Sequence, residues 1–205
     1  MISEVNMKEF LDALSSKEPT PGGGGASALV AAVSCSLCSM VANLTTGKKK
    51  YAEYQERIDE YLVILKDKNE LLQEDIKKDA DAFAPLAAAY SLDKSTPGYD
   101  EIMEKALYDA AVAPKEILED ICSLIPVIED LAVMGSRLAI SDVAVAAACL
   151  EAAIKGCVLN IYINTKSMKD RERAEQMNAY AGRLVEDGIA RLEKVYSDTE
   201  GLLKS

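Results

Sequence analysis

Along almost the whole chain apolar residues return at intervals of three and four, and no alternating apolar and polar run lasts more than a few residues. That period places side chains on one face of a helix and leaves no segment patterned for a half-buried strand. The sequence therefore predicts an all-α protein: a single domain, residues 1–205, built as a bundle of about seven helices with long central ones. The helices are expected at Ser3–Ser15, Gly25–Leu44, Lys49–Tyr90, Tyr99–Ser123, Pro126–Met134, Ser141–Lys166 and Lys169–Leu203. Pro85 and Pro114 are expected to kink or break theirs, because proline lacks the N–H that continues the ladder. With 205 residues, 49% of them hydrophobic, the chain can bury a full core.

Two segments are rich in alanine, serine and cysteine, "ASALVAAVSCSLCSMVANL" and "SDVAVAAACLEAAIKGCVLNIYIN". Small side chains let helix backbones approach closely, so these two are expected at the centre of the bundle or at a dimer seam. Ser27–Leu44 is the one stretch read as long enough to resemble a membrane span. Its serines, asparagine and cysteines favour a buried core helix instead. The N-terminus has no basic start followed by an apolar run, so no secretory signal is read and a cytoplasmic location is expected. Cys35, Cys38, Cys122, Cys149 and Cys157 fall on apolar segments and are read as reduced thiols packed in the core.

Charge and composition narrow the chemistry. A formal net charge of −11 disfavours nucleic acid or an anionic membrane as partner and leaves a small ligand or another protein. There is no histidine, which removes Ser-His-Asp and Cys-His nucleophile systems and the commonest metal ligand. Cys35 and Cys38 form C-x-x-C inside a helix without a second pair, so no metal site is expected. Catalysis would have to rest on carboxylates, lysines, tyrosines, amides or backbone dipoles.

Helical wheels at about 100° per residue locate polar groups on the wrong face. In the helix predicted over Lys49–Tyr90, Asp79 falls inside the stripe of Leu72, Ile76, Phe83 and Leu86 while Asp81 points away. A carboxylate in an apolar seam is costly unless paired, bonded or protonated, so Asp79 is a candidate site residue; the structural alternative is that it braces a neighbouring helix. In the helix predicted from Ser141, Asp142, Asn160 and Asn164 lie opposite the exposed pair Glu151 and Lys155. The two asparagines are one turn apart and can present amides to one cavity. Asp142 lies about 27 Å from Asn160 along a straight helix, so it belongs to a long ligand, to a site completed by a second subunit, or to the helix start with Ser141 as cap.

"TPGGGGAS", Thr20–Ser27, puts four glycines before a helix, which fits either a hinge or a loop that cradles a ligand. It matches neither a Walker loop nor a Rossmann fingerprint. "TTGKKKY" places Lys48, Lys49 and Lys50 together, a local positive patch suited to an anionic tail.

The segments "PTPGGGGASAL", "MVANLTTGKKKY", "DADAF…AAAY", "AAVAPKEI", "SDVAVAA" and "NIYIN", in this order over Met7–Thr165, resemble the formiminotransferase-cyclodeaminase C-terminal family, which includes free-standing bacterial methenyltetrahydrofolate cyclohydrolases. The resemblance implies an all-α homodimer acting on the one-carbon unit of tetrahydrofolate, with no cofactor beyond that folate, which can be polyglutamylated. It carries the proline-glycine loop onto Pro21, Gly22, Gly23, Gly24 and Gly25, the acidic helix position onto Asp79, the "SD" pair onto Ser141 and Asp142, and the asparagines onto Asn160 and Asn164. Relatives often have an arginine before "AAVAP"; Tyr99–Ala110 has none. The implied activity is cyclohydrolysis of methenyltetrahydrofolate, with formiminotetrahydrofolate cyclodeamination as the near alternative and a non-catalytic helical interaction protein as the distant one. Asp79 is expected as general base and Asp142 as a second catalytic candidate. Asn160 and Asn164 are expected on the pterin or carbonyl, with the glycine loop, Ser27, Lys48 and Lys50 on the glutamate tail.

Overall fold

The computed structural model describes residues 6–205, so the expected helix start at Ser3 lies outside the described residues. Among these residues there is no strand. The chain runs through α1 (Met7–Leu14), α2 (Gly23–Thr45), a 3-10 segment (Lys49–Tyr54), α3 (Gln55–Tyr90), α4 (Tyr99–Cys122), α5 (Ile125–Met134), a 3-10 turn (Arg137–Ala139), α6 (Ile140–Thr165) and α7 (Arg171–Lys204). Asn6 caps α1 by accepting the Glu9 N–H at 3.0 Å, and Asp170 caps α7 by accepting that of Arg173 at 3.0 Å. Both are side-chain acceptors of the kind that satisfies an orphan donor in a first turn.

The small-residue helices α2 and α6 form the centre, running antiparallel. Gly23 faces Asn160, Ser27 faces Gly156, the Ser34 hydroxyl donates to the Ala146 carbonyl at 2.7 Å, and Thr45 accepts the Ser136 N–H at 2.8 Å. A Cβ on Gly156 would stand 2.5 Å from Ser27 Oγ, so a side chain there would push the hydroxyl off the Gly23 carbonyl. α3 packs on α2, with the Cys35 thiol donating to the Leu65 carbonyl at 3.3 Å; α4 packs on α3 and α6; α7 lies over α5 and α6. Fully buried Leu65, Leu118, Leu150 and Ile154 join these layers, each contributing about 2 kcal/mol by leaving water. All five cysteines are free; Cys35, Cys38 and Cys157 are buried, and burial pushes the Cys35 thiol up to about 11.

Two local expectations are corrected. Pro85 and Pro114 each sit inside a continuous helix and break neither; Pro114 is buried among the packed helices, while Pro85 is exposed, where the carbonyl it leaves without a donor can face water. α2 also starts two residues earlier than expected, so three of the four glycines are helical. Besides α2, the segment Arg137–Thr165 also has the length and hydropathy of a membrane span, with 56% and 50% of the two windows buried inside the protein.

Candidate active site

Gly22 stands at the N-cap of α2 and offers no side-chain bond, which leaves the first-turn N–H groups for another partner. Asp79 of α3 takes one: the Gly25 N–H donates to Asp79 Oδ2 at 2.9 Å. The glycines make this contact possible. A Cβ on Gly24 would stand 2.0 Å from Asp79 Oδ1, and one on Gly23 would stand 3.3 Å from both amide atoms of Asn160. The carboxylate thus lies against the positive end of a helix, a position that favours an anion. Burial pushes its pKa above the ordinary carboxylate value, while the Gly25 N–H pulls the other way.

The asparagines arrive from α6. Asn160 Nδ2 donates to the Gly156 carbonyl at 3.0 Å, and Asn164 Nδ2 donates to the carbonyls of Asn160 at 2.9 Å and Ala110 at 2.8 Å. Pro114 explains the last bond. Having no N–H, it leaves the Ala110 carbonyl without its helical donor, and Asn164 supplies one from the neighbouring helix. The amide nitrogens are thereby tied to backbone, and the side-chain oxygens are left to accept hydrogen bonds from a ligand.

Gly22, Gly23, Asp79, Asn160 and Asn164 line one pocket of about 140 Å³, together with Pro19, Thr20, Phe83, Ala110 and Ile163. Phe83 is visible in the sequence as the apolar neighbour one turn beyond Asp79; Pro19, Thr20, Ala110 and Ile163 fall inside the family-like segments, but neither helical wheel nor composition singles them out. Of the other expected residues, Gly24 and Gly25 are buried beneath the pocket, and Pro21 packs 3.6 Å from the Cβ position of Gly25. Ser27 is a correction: its hydroxyl is buried and donates to the Gly23 carbonyl at 2.8 Å, bracing the turn instead of facing the pocket.

Lys48, Lys50 and Asp142 are elsewhere. Gly23 and Thr45 are the ends of α2, about 33 Å apart at the helical rise, so the lysines cannot join the glycine turn of their own chain. At that far end Lys48 Nζ donates to Ser136 Oγ at 3.4 Å, Lys50 lies 5.6 Å from the Tyr51 ring, and the Arg137 N–H donates to the Tyr51 hydroxyl at 2.9 Å. That N–H, seconded by the lysines, holds the Tyr51 phenol below its ordinary pKa. Asp142 is half-buried in the first turn of α6. The cap expected of Ser141 is not there: the 3-10 turn runs into α6, which is capped at Ala139 without a side-chain bond, and Ser141 is exposed.

A long-helix bundle with a carboxylate and amides gathered at the glycine-built start of a central helix defines the class, and the chain belongs to the formiminotransferase-cyclodeaminase family, whose profile matches residues 6–183. It is 35% identical over 201 residues, 96% of either chain, to a methenyltetrahydrofolate cyclohydrolase of Methylorubrum extorquens. It is 29% identical to a formimidoyltransferase-cyclodeaminase of Rattus norvegicus over 82% of this chain and 32% of that one. The fold matches the crystal structure of a formiminotetrahydrofolate cyclodeaminase from Thermotoga maritima with a TM-score of 0.86 and 27% identity, covering 99% of this chain and 100% of the other.

Proposed function

We propose that the chain is a methenyltetrahydrofolate cyclohydrolase of cytosolic one-carbon metabolism. The observation that carries this reading is the Asp79 carboxylate, pinned by one oxygen to the α2 turn and sharing a pocket with the oxygens of Asn160 and Asn164. Near-full-length similarity to a cyclohydrolase supports it. The substrate carries a cationic amidine carbon. Asp79 stabilises that cation and takes a proton as water adds; one carbon–nitrogen bond then breaks, the departing nitrogen is protonated, and the net yield is a formyl group and one proton. Asn160 and Asn164 accept hydrogen bonds from the pterin, and the free N–H groups of the α2 turn face the anionic part of the ligand.

A pocket of about 140 Å³ is smaller than the about 300 Å³ at which ligand pockets begin, so one chain supplies only part of a folate site. We propose that a homodimer completes it. The outer faces of α2 and α6 expose Val33, Met40, Leu44, Val145, Leu159 and Ile163, a continuous apolar surface suited to a second copy. A two-fold axis across these helices brings the partner's Lys48, Lys50 and Asp142 to the pocket, which gives the far-end residues their tail-binding and catalytic roles.

The test is an absorbance assay of methenyltetrahydrofolate hydrolysis. Asp79→Asn is expected to cut turnover at least about a hundredfold with the fold intact; near-normal turnover overturns the assignment. The cyclodeaminase reading is favoured by the Thermotoga maritima neighbour and predicts ammonia release from formiminotetrahydrofolate. The relatives are named as folate-processing enzymes, which speaks against a purely scaffolding role.

A further inference from the structure

Asp75 precedes Asp79 by one turn of α3, and residues so spaced have Cβ atoms about 5–6 Å apart on one helix face. It is 0% exposed, and neither of its carboxylate oxygens has a hydrogen-bond partner. Nothing in the mechanism above uses it. Its charged neighbours on α3 are Lys68 and Lys78, and on α4 they are Glu116 and Asp120; from α6 it is faced by the Cys157 thiol, which lies close enough to feel both Asp75 and Asp79. Both lysines are already engaged across the helix pair, Lys68 with Asp120 at 2.9 Å and Lys78 with Glu116 at 2.6 Å. A charge on Asp75 is therefore not cancelled by a direct partner, and the Cys157 thiol is the group that stands near both carboxyls. Like charges close together in a poorly solvated interior each oppose the other's ionisation, which is how a carboxylate is made a stronger base.

We propose that Asp75 is a positioning residue of this centre: a second buried carboxyl, one turn behind Asp79, whose charge strengthens Asp79 as the base. The proposal rests on the reading of Asp79 as that base. Burial, reinforced by the charge of Asp120 and opposed by Lys78 and Lys68, pushes the Asp75 carboxyl up to about 6, so its charge is present at neutral pH, where the base is needed. Carboxyls coupled in this way would lose their protons in two shared steps.

Two measurements test it. In the wild-type protein carrying ¹³C-labelled aspartate carboxyls, the Asp79 resonance is expected to titrate with two inflections; in Asp75→Asn it should titrate with one, at lower pH. In the pH profile of kcat/KM, Asp75→Asn is expected to move the acid limb down by about one unit, the shift a neighbouring like charge typically causes. Glu116→Gln, whose side chain is 46% exposed, should leave that limb in place. A single inflection for Asp79 in the wild type overturns the proposal, as does an acid limb unchanged by Asp75→Asn. The wild-type titration needs neither turnover nor a folded variant, so it decides the coupling even if methenyltetrahydrofolate proves not to be the substrate.

Discussion

A methyl group on Gly24 would stand 2.0 Å from Asp79 Oδ1, so the backbone of one helix and the carboxylate of another occupy adjoining space that a side chain enters only by displacing the carboxylate. The clash would fall on the movable end of a side chain and not on backbone. Gly24→Ala should therefore keep its fold, gaining up to about 1 kcal/mol of helix propensity while losing the Gly25–Asp79 hydrogen bond. Turnover should drop by at least about tenfold, as expected when a base leaves its place. Gly201→Ala, at the far end of α7 with nothing within 4 Å of the added Cβ, should stay close to wild type in the same assay.

Pro114 and Asn164 make a second pair. Pro114→Ala returns an N–H to the Ala110 carbonyl and so competes with the Asn164 amide for it. Thermal unfolding should be unchanged or slightly higher, because a helix-interior proline is removed. KM for the folate should rise severalfold as Asn164 loses its tether; an unchanged KM would show that Ala110 does not position the amide.

Stability should depend on pH through Asp75. Its folded-state pKa is raised from 3.8 to about 6, so the folded protein binds the proton more tightly than the unfolded chain. The stabilising effect is complete below about pH 4 and is lost as pH rises through about 6, a change of about 3 kcal/mol. Asp75→Asn should flatten this part of the curve, and denaturant unfolding at pH 4 and pH 8 would measure it.

The apolar face of α2 and α6 should hold two copies together. Leu159, 64% exposed and outside the pocket, is the place to break it. Leu159→Lys should shift the protein from dimer to monomer in sedimentation and lower turnover with it. A wild-type monomer at micromolar concentration, fully active, would refute the shared site.

Much of the site was legible because a helical wheel is a reliable guide wherever the helix is long and regular. Asp79, Asn160 and Asn164 were each visible as polar groups on an apolar face, and the structure places all three at one pocket. The same wheel puts Asp75 about 40° from Asp79, on the same apolar face. What one helix cannot reveal is where its neighbour stands. Its place after the glycines suggests that Ser27 meets the ligand, but its hydroxyl turns back to Gly23. The charge of Lys48 and Lys50 points to an anionic tail, but only the length of α2 shows that within one chain they stand at the opposite end. The division of labour among the glycines depends on Asp79 and Asn160 reaching them from other helices, a relation with no local signature.

The bond from Asn164 to the Ala110 carbonyl also bears on how such a chain can change over time. Positions 114 and 164 are far apart in sequence but answer to the same acceptor. A lineage that replaces the proline releases the asparagine from one of its duties, and a lineage that replaces the asparagine strands a carbonyl that only the proline left open. The two positions are expected to covary among relatives, and their joint pattern would trace which descendants kept this way of holding the amide.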